Sequence, residues 1–216
     1  MFTLYDFDGF APNPFVVTMF AREKGVPFER RTVDVVNREN RRMPYLTQVN
    51  PLGEVPAAHF GEGRMLTEVI AICEYLEELV PNPPLIGATP WERAEVRMWT
   101  RRLDLKICEP MGEAFAIGPG RSFFASDGTG EELPKAMLPV ETAAAMRANV
   151  DSKLLWLDRQ VEGRTWICGD QFTLADIMLY SFIKFGTKIG HLVPAEANWV
   201  HDHFVRADAR DSAWRD

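Results

Sequence analysis

In the first 80 residues of the chain, the apolar residues have the spacing of short strands in some segments and of helices in others. Phe2 to Tyr5 is rich in residues that favour strands, and Phe15 to Lys24 places its apolar residues on one helical face before Gly25. The segment between them, Asp6 to Pro14, contains Gly, Asn and Pro and is predicted to be a loop. The chain is therefore expected to begin with a strand, a loop and a helix.

The following residues predict a second half-unit made of strands and one helix. Phe28 to Val36 and Gly53 to Phe60 have strand character, and Arg64 to Leu66 is the return strand of a hairpin. Arg38 to Val49 is a polar connection with one helical turn, and Glu68 to Val80 has a clear apolar helical face. Residues 1–80 are therefore predicted to form a βαβ unit followed by a ββα unit.

The pattern changes after a proline-rich segment, residues 81–90, which is predicted to be a domain linker. Residues 91–216 contain no convincing strand and are predicted to form an all-helical bundle. Thr173 and Asp176 have the spacing of a capping box at the start of its central helix. The long helical stretches are Trp91 to Phe115, Leu133 to Val161 and Thr173 to Lys188.

The charge balance narrows the choice of partners. The chain has 24 basic and 31 acidic residues, a net charge of −7, so nucleic acid and anionic membranes are not expected partners. Its three cysteines form no CxxC pair, and there is no leader or long apolar run, so a cytoplasmic location is expected. Residues 22–42 nevertheless hold seven Arg or Lys against four acids. This basic segment either binds an anionic ligand or is a solvated face.

Pro56 lies at the start of a predicted strand, where a proline cannot donate a hydrogen bond to the sheet. A bend there, for which a cis bond is one route, turns the backbone of Val55 outward for pairing with an extended peptide. The helix that follows Thr67 and Glu68 offers free N–H groups to a carboxylate. A small acidic peptide would fit this combination, and a plain hairpin with a turn proline explains the spacing equally well.

Two groups of residues carry a resemblance to a known family. Asn50 to Pro56, with Leu66 to Glu68 and Ile72 to Leu76, resembles the N-terminal domain of cytosolic glutathione S-transferases, and Trp166 to Ile177 resembles their C-terminal domain. The loop Ala11–Pro–Asn13 is similar to that of bacterial asparagine-loop members of the nu-class or β-etherase-like type. The resemblance implies a thioredoxin-like domain, an all-helical domain, a homodimer and detoxification chemistry with glutathione as co-substrate.

The resemblance also implies a glutathione-binding set. Val55 would pair with the cysteinyl backbone of glutathione, and Glu68 would hold its γ-glutamyl end. Val69 stands where the family usually has serine, and one lost hydrogen bond to a charged group costs roughly 1.5–3 kcal/mol. An arginine would bind the glycine carboxylate through its forked guanidinium. The full set expected is Arg41, Arg42, Glu54, Val55, Pro56, Thr67, Glu68 and Val69.

The catalytic position departs from the family pattern. The family places Ser, Cys or Thr in the first loop, or Tyr at the end of the first strand, to stabilise the glutathione thiolate. Here no serine precedes Ser122 and no cysteine precedes Cys73, so neither residue can serve in that loop. Asn13 and Tyr5 are the candidate donors, and backbone donors alone, or no thiol activation, are the alternatives. Cys73, Cys108 and Cys168 are expected to be buried structural residues.

The electrophile pocket is expected between the first loop and the first long helix of the helical unit. Its candidate residues are Phe10, Phe15, Leu105, Glu109, Met111 and Phe115, which would serve equally well as core. His201 and His203 are expected to be solvated, and no metal site is predicted. The leading function is thiolate transfer to a hydrophobic electrophile, or glutathione-dependent reduction with disulfide reductase or peroxidase activity. The alternative is a non-catalytic binding module with the same fold.

Overall fold

The computed structural model describes residues 1–124 and 138–214. Its sheet has four strands in the order β2–β1–β3–β4, with β1 and β2 parallel and the other neighbours antiparallel. The order βαβ–ββα followed by helices confirms the predicted fold class. The strands are β1 (Phe2–Phe7), β2 (Phe28–Val33), β3 (Ala57–His59) and β4 (Met65–Thr67).

The strand register brings three separate segments to one edge of the sheet. Tyr5 pairs with Ala57, and Ala57 pairs with Thr67, so these residues form one row across β1, β3 and β4. Because β3 runs opposite to its two neighbours, this edge contains the end of β1, the start of β3 and the end of β4. The loop after β1, the Val55–Pro56 bond and the residue Glu68 therefore converge there.

Helix α1 (Pro12–Glu23) begins earlier than predicted. The prediction placed the loop up to Pro14 because prolines commonly mark loops, but Pro12 and Pro14 occupy the first turn of the helix. The N–H groups of a first turn have no intrahelical acceptor, so proline is tolerated at these positions. Asn13 is consequently a helix residue and lies in the first turn of α1.

The two faces of the sheet are covered differently. On one face, Leu4 belongs to the main apolar core with α1 and helix α3 (Val69–Leu79). On the other face, Tyr5 packs with Val33, Tyr45 and Ala57 beneath the short helix α2 (Tyr45–Gln48). Successive strand residues point to opposite faces, which places Tyr5 away from the side covered by α1.

One of the predicted long helices contains an irregular turn. Residues Asp104–Cys108 form a π-helical segment between α4 and α5. Pro110 follows directly and cannot donate to the carbonyl of Lys106, which lies inside that segment. The described helices of this half are α4 (Pro90–Leu103), α5 (Glu109–Ile117), α6 (Arg121–Phe124), α7 (Glu141–Gln160), α8 (Leu174–Lys188) and α9 (Asn198–Asp208). Residues 133–137 of the predicted helix Leu133 to Val161 lie outside the described residues.

The predicted capping box at the start of α8 is confirmed. Thr173 and Asp176 make both of its reciprocal bonds, and the Asp176 carboxylate also accepts from the backbone of Ile167 at 2.8 Å. Thr89 and Glu92 form a second box at the start of α4 that the sequence reading missed. His203, expected to be solvated, is fully buried and lies 3.1 Å from an Asp176 oxygen.

Helix α1 packs against α8. Near the start of α1, the ring of Phe15 lies 6.1 Å from that of Tyr180. Near its end, Glu23 accepts two 2.7 Å hydrogen bonds from Arg210, which follows α9. In the last turns of α8, the ammonium groups of Lys184 and Lys188 lie 5.6 Å from the ring of Phe15 and 5.4 Å from that of Phe10. The C-terminal turns of α8 therefore lie beside the N-terminal turn of α1.

Candidate active site

Val55 has a backbone available for pairing with a ligand. The Val55–Pro56 bond is cis. Neither the N–H nor the C=O of Val55 has a hydrogen-bond partner in residues 1–124 or 138–214. An extended peptide can bond to both groups in the manner of an added strand.

The segment before Val55 is held by side chains from the polar connection after β2. Asn40 donates a 2.6 Å hydrogen bond to the Gly53 carbonyl, and Tyr45 donates one of 2.8 Å to the Glu54 carbonyl. Arg41 donates to the Leu52 carbonyl at 2.8 Å. These three hydrogen bonds were not predicted from the sequence, which indicated only a polar, arginine-rich connection. Burial, followed by the nearby Tyr5, raises the pKa of the Tyr45 hydroxyl, so Tyr45 remains a donor.

Glu68 has an unusual backbone at the start of α3. Its φ is +68° and its ψ is 123°, a combination that costs a non-glycine residue about 1–3 kcal/mol. Such conformations persist where a site requires a particular direction of the chain. Within residues 1–124 and 138–214 no side chain caps α3, so the N–H groups of Val69 and the next two residues stay available to a carboxylate. Thr67, half-buried, ends β4 directly beside them.

The first turn of α1 offers one backbone donor. Its first three residues are Pro12, Asn13 and Pro14, and the two prolines have no N–H. The next N–H, that of Phe15, donates to the carbonyl of the N-cap residue Ala11 at 3.2 Å. Asn13 is half-buried, and neither its N–H nor its side chain has a partner among the described residues. The positive end of the helix dipole is therefore presented through Asn13.

Tyr5 lies on the other face of the sheet. Its hydroxyl accepts a 3.3 Å hydrogen bond from Arg31, and the Arg31 guanidinium lies 4.9 Å from its ring centroid. The side chain is 8% exposed and lines a groove of about 550 Å³ beneath α2. Arg31 and the exposed Arg42 line the same groove. This position separates Tyr5 from the first turn of α1.

The expected electrophile pocket is corrected in part. Phe15 is 0% and Met111 1% exposed, so these two are core residues and line no open pocket. Leu105 and Glu109 are exposed, and both belong to the region where the π-helical turn changes the helical register. The equal spacing assumed from the sequence therefore fails there.

Two of the pocket residues keep a position that a ligand can reach. Phe10 is half-buried, and its ring lies 5.1 Å from that of Phe15 at the start of α1. Phe115 is also half-buried and packs 5.2 Å from Phe185 on α8. Both rings therefore belong to the end of the molecule where α1 begins and α8 ends.

The cysteines are poor nucleophiles in this structure. Burial raises the pKa of Cys73 and Cys108, both fully buried, and nearby acidic residues raise it further. Cys168 is only half-buried, but burial, then Asp176, raises its pKa to about 12. Among the described residues, no group of three metal-ligating side chains occurs. None of the three cysteines therefore has the lowered pKa that favours a reactive thiolate.

Sequence comparisons identify both halves of the chain. The model of the glutathione S-transferase N-terminal domain matches residues 10–79, and that of the C-terminal domain matches residues 140–204. These two models describe the class of protein with a thioredoxin-like domain followed by a helical domain, which is the fold seen here. The chain belongs to the glutathione S-transferase family.

Individual relatives cover most of the chain. Glutathione S-transferase U22 of Arabidopsis thaliana is 31% identical over 188 residues, covering 84% of this chain and 75% of that protein. Glutathione S-transferase 2 of Saccharomyces cerevisiae is 26% identical over 205 residues, covering 93% and 83%. A glutathione S-transferase domain-containing protein from Marinobacter aquaeolei has a crystal structure with a TM-score of 0.84 at 27% identity, covering 98% of this chain and 100% of that chain.

Family membership supports glutathione-dependent transferase activity, and the non-catalytic alternative is not favoured. None of the helices within residues 1–124 and 138–214 is long and apolar enough to cross a membrane.

Proposed function

We propose that this protein transfers glutathione to a hydrophobic electrophile and that Asn13 stabilises the attacking thiolate. The observation that carries the proposal is the meeting of three segments at one sheet edge: the first turn of α1, the unpaired backbone of Val55 and the open start of α3. The thiol loses its proton to solvent water, the sulfur of the thiolate forms a bond to the electrophilic carbon, and the leaving group departs from that carbon with the electron pair of the broken bond.

The glutathione backbone would be held along this edge. Val55, at the cis bond to Pro56, pairs with the cysteinyl residue, and the anchored carbonyl of Glu54 keeps that loop in place. The γ-glutamyl end lies at Glu68, where the N–H of Val69 and the hydroxyl of Thr67 replace the missing serine. All of these residues lie at the edge defined by the row from Tyr5 to Thr67.

The glycine carboxylate is assigned to Arg42 and not to Arg41. Arg41 already donates to the Leu52 carbonyl, whereas Arg42 is exposed and has no ion-pair partner within 4.0 Å among the described residues. A guanidinium binds both oxygens of a carboxylate. Arg41 then acts indirectly, by holding the loop before Val55.

The first turn of α1 would lower the pKa of the bound thiol. A hydrogen bond to a charged group is worth roughly 1.5–3 kcal/mol, which corresponds to about one to two pKa units. Asn13 can supply it through its N–H or its side-chain amide. Tyr5 is the weaker candidate, because its side chain packs beneath α2, on the face of the sheet opposite to α1.

We further propose a cytoplasmic homodimer with a role in detoxification. Trp91 and Met98 are 78% and 40% exposed and lie seven residues apart on α4, before the π-helical turn. Such a stripe is typical of a surface that packs against another helix. Reduction of disulfides or peroxides by the same thiolate is a secondary activity that we also propose.

Two substitutions of Asn13 test the assignment. Asn13→Ala removes the side-chain amide alone, and Asn13→Pro also removes the N–H from a first turn that already accepts proline. Glutathione binding is measured by calorimetry, and the pKa of the bound thiol is obtained from thiolate absorbance against pH. We expect Asn13→Pro to raise that pKa by about one unit or more.

Unchanged thiolate absorbance in both variants, together with its loss in Tyr5→Phe, would transfer the role to Tyr5. Absence of glutathione binding at millimolar concentration would refute the proposed glutathione transferase function.

A further inference from the structure

The last turns of α8 lie between the two accessible aromatic residues of the candidate pocket. Phe185 packs 5.2 Å from the ring of Phe115, and the Lys188 ammonium lies 5.4 Å from the ring centroid of Phe10. The exposed Phe123 is stacked 6.4 Å from Phe115 and extends the same aromatic surface. Lys188 therefore borders a site whose walls are aromatic rings.

The two lysines at this end of α8 differ in how their charges are used. Lys184 donates to Asp208 at 3.1 Å and to the Tyr180 hydroxyl at 2.6 Å, so an acidic partner within the protein already neutralises it. Lys188 is exposed and has no acidic partner within 4.0 Å in the described ranges 1–124 and 138–214. Lys188 was not among the residues predicted from the sequence, since a lysine in the last turn of a helix normally interacts with the helix dipole.

We propose that Lys188 selects aromatic electrophiles that carry an anionic substituent such as a carboxylate. The aromatic ring would pack on Phe10 and Phe115, and the anionic group would bind the ammonium of Lys188. The face of the Phe10 ring attracts the Lys188 ammonium and holds it beside the place where the aromatic ring of the electrophile would pack. The proposal rests on the proposed transferase function, since it names the substrate class of the same site.

A matched pair of electrophiles tests the proposal. 4-Chloro-3-nitrobenzoate and 4-chloro-3-nitrobenzamide share one ring and one leaving group, and only the first is anionic. An exposed ion pair contributes about 0.2–1 kcal/mol, so Lys188→Ala should lower kcat/KM for the benzoate by up to about fivefold. The benzamide should change by less than about twofold. Lys188→Glu should lower the benzoate value further by repulsion, and Lys188→Arg should restore it.

Lys153→Ala, on α7, is the matched control and should leave both substrates unchanged. The selectivity should also fall at high salt, which screens an exposed charge pair. Equal losses for the two substrates in Lys188→Ala would reveal a structural role and overturn the proposal, as would no loss for either.

A second measurement does not depend on turnover. Binding of the two S-aryl glutathione conjugates, one with a carboxylate and one with an amide, is measured by calorimetry. Only the carboxylate conjugate should bind more weakly to Lys188→Ala. If glutathione binds and the affinities of both conjugates are the same in Lys188→Ala as in the unsubstituted protein, the proposed substrate class is wrong while the transferase function stands. If glutathione itself fails to bind, the transferase function has failed.

Discussion

The side-chain amide of Asn40 donates a 2.6 Å hydrogen bond to the carbonyl of Gly53, thirteen residues further along the chain. Asn40 is buried, and its backbone carbonyl oxygen lies so close to Gly53 that a residue with a Cβ would not fit at that position. The close approach fixes the path of the chain two residues before Val55. The connection after β2 therefore determines where the peptide-pairing backbone lies.

Substitution of Gly53 by alanine should reveal this constraint. Gly53 has a φ of +62°, and an added Cβ would lie 2.7 Å from the Asn40 backbone oxygen. We expect Gly53→Ala to cost about 2–3 kcal/mol and to weaken glutathione binding. Gly25→Ala is the control, because Gly25 has a φ of +64° and open space around it. The free energy of unfolding of Gly25→Ala, measured by urea denaturation, should fall by only about 1 kcal/mol, and its affinity for glutathione should be unchanged. Equal losses in both variants would mean that only the backbone conformation matters.

The contact between Glu23 and Arg210 should make stability depend on pH. Burial opposes ionisation of Glu23, but hydrogen bonds from Arg210 and Ser212 outweigh it and lower the pKa below the ordinary value of 4.5. Because the folded pKa is lowered, the stabilisation is complete above about pH 4.5 and disappears as the pH falls through the folded pKa. Glu23→Gln should therefore cost about 1–3 kcal/mol at pH 7 and much less near pH 3.

Urea denaturation at both pH values measures the effect of Glu23→Gln. Glu74→Gln is its control, since Glu74 pairs with Arg97 on the surface at 2.8 Å. An exposed pair should contribute less than about 1 kcal/mol. A Glu23→Gln cost that stays constant from pH 7 to pH 3 would contradict the assignment.

A buried ion pair joins α1 to α3. The Lys24 side chain is 0% exposed and contacts Glu77, which is 11% exposed. Lys24 also donates to the Pro83 carbonyl, and Glu77 accepts from the Ile86 N–H at 3.2 Å. Lys24→Met leaves the Glu77 charge buried and should cost about 3–5 kcal/mol. The double variant with Glu77→Leu should recover part of that loss, and a double-mutant cycle measures the coupling. Strict additivity would show that the two charges do not interact.

The apolar stripe on α4 predicts the assembly state. A charge in the centre of a buried interface carries a large desolvation cost, so Met98→Glu should convert the proposed dimer to a monomer. Light scattering after gel filtration measures the mass. Val205→Glu is the control, because Val205 is 67% exposed on α9, outside the stripe. A monomeric wild-type protein, or a dimer that survives Met98→Glu, would contradict the prediction.

The order of the elements was predictable because it depends on hydrophobic periodicity and turn residues, which are local. The exceptions involve proline. Pro12 and Pro14 indicated a loop, although the first turn of a helix needs no N–H from them. The π-helical turn before Pro110 was not predicted, and it changes the relative directions of the side chains between Leu105 and Phe115.

Residues of the candidate site could be predicted only where a short motif in the sequence identifies them. Val55 and Glu68 stand out in the sequence, and the structure places both at one sheet edge. The choice between Asn13 and Tyr5 depends on the face of the sheet on which each side chain lies. That face depends on the pairing between β1 and β3, which are about fifty residues apart in the chain. Asn40 was missed because an asparagine in a polar connection shows no partner in the sequence, and Lys188 because its contact with Phe10 is far away along the chain.

Helix α1 connects the parts of the chain that the sequence divides at the proline-rich segment. Its first turn lies beside the end of α8, and its last turn is bound by Arg210 and the segment around Pro83. Its middle, including the fully buried Met19 and Phe20, belongs to a single apolar core that also contains α8. Residues 1–80 on their own would expose that surface to water. Unfolding should therefore be cooperative, with one calorimetric transition in which the βαβ–ββα unit and the helices melt together.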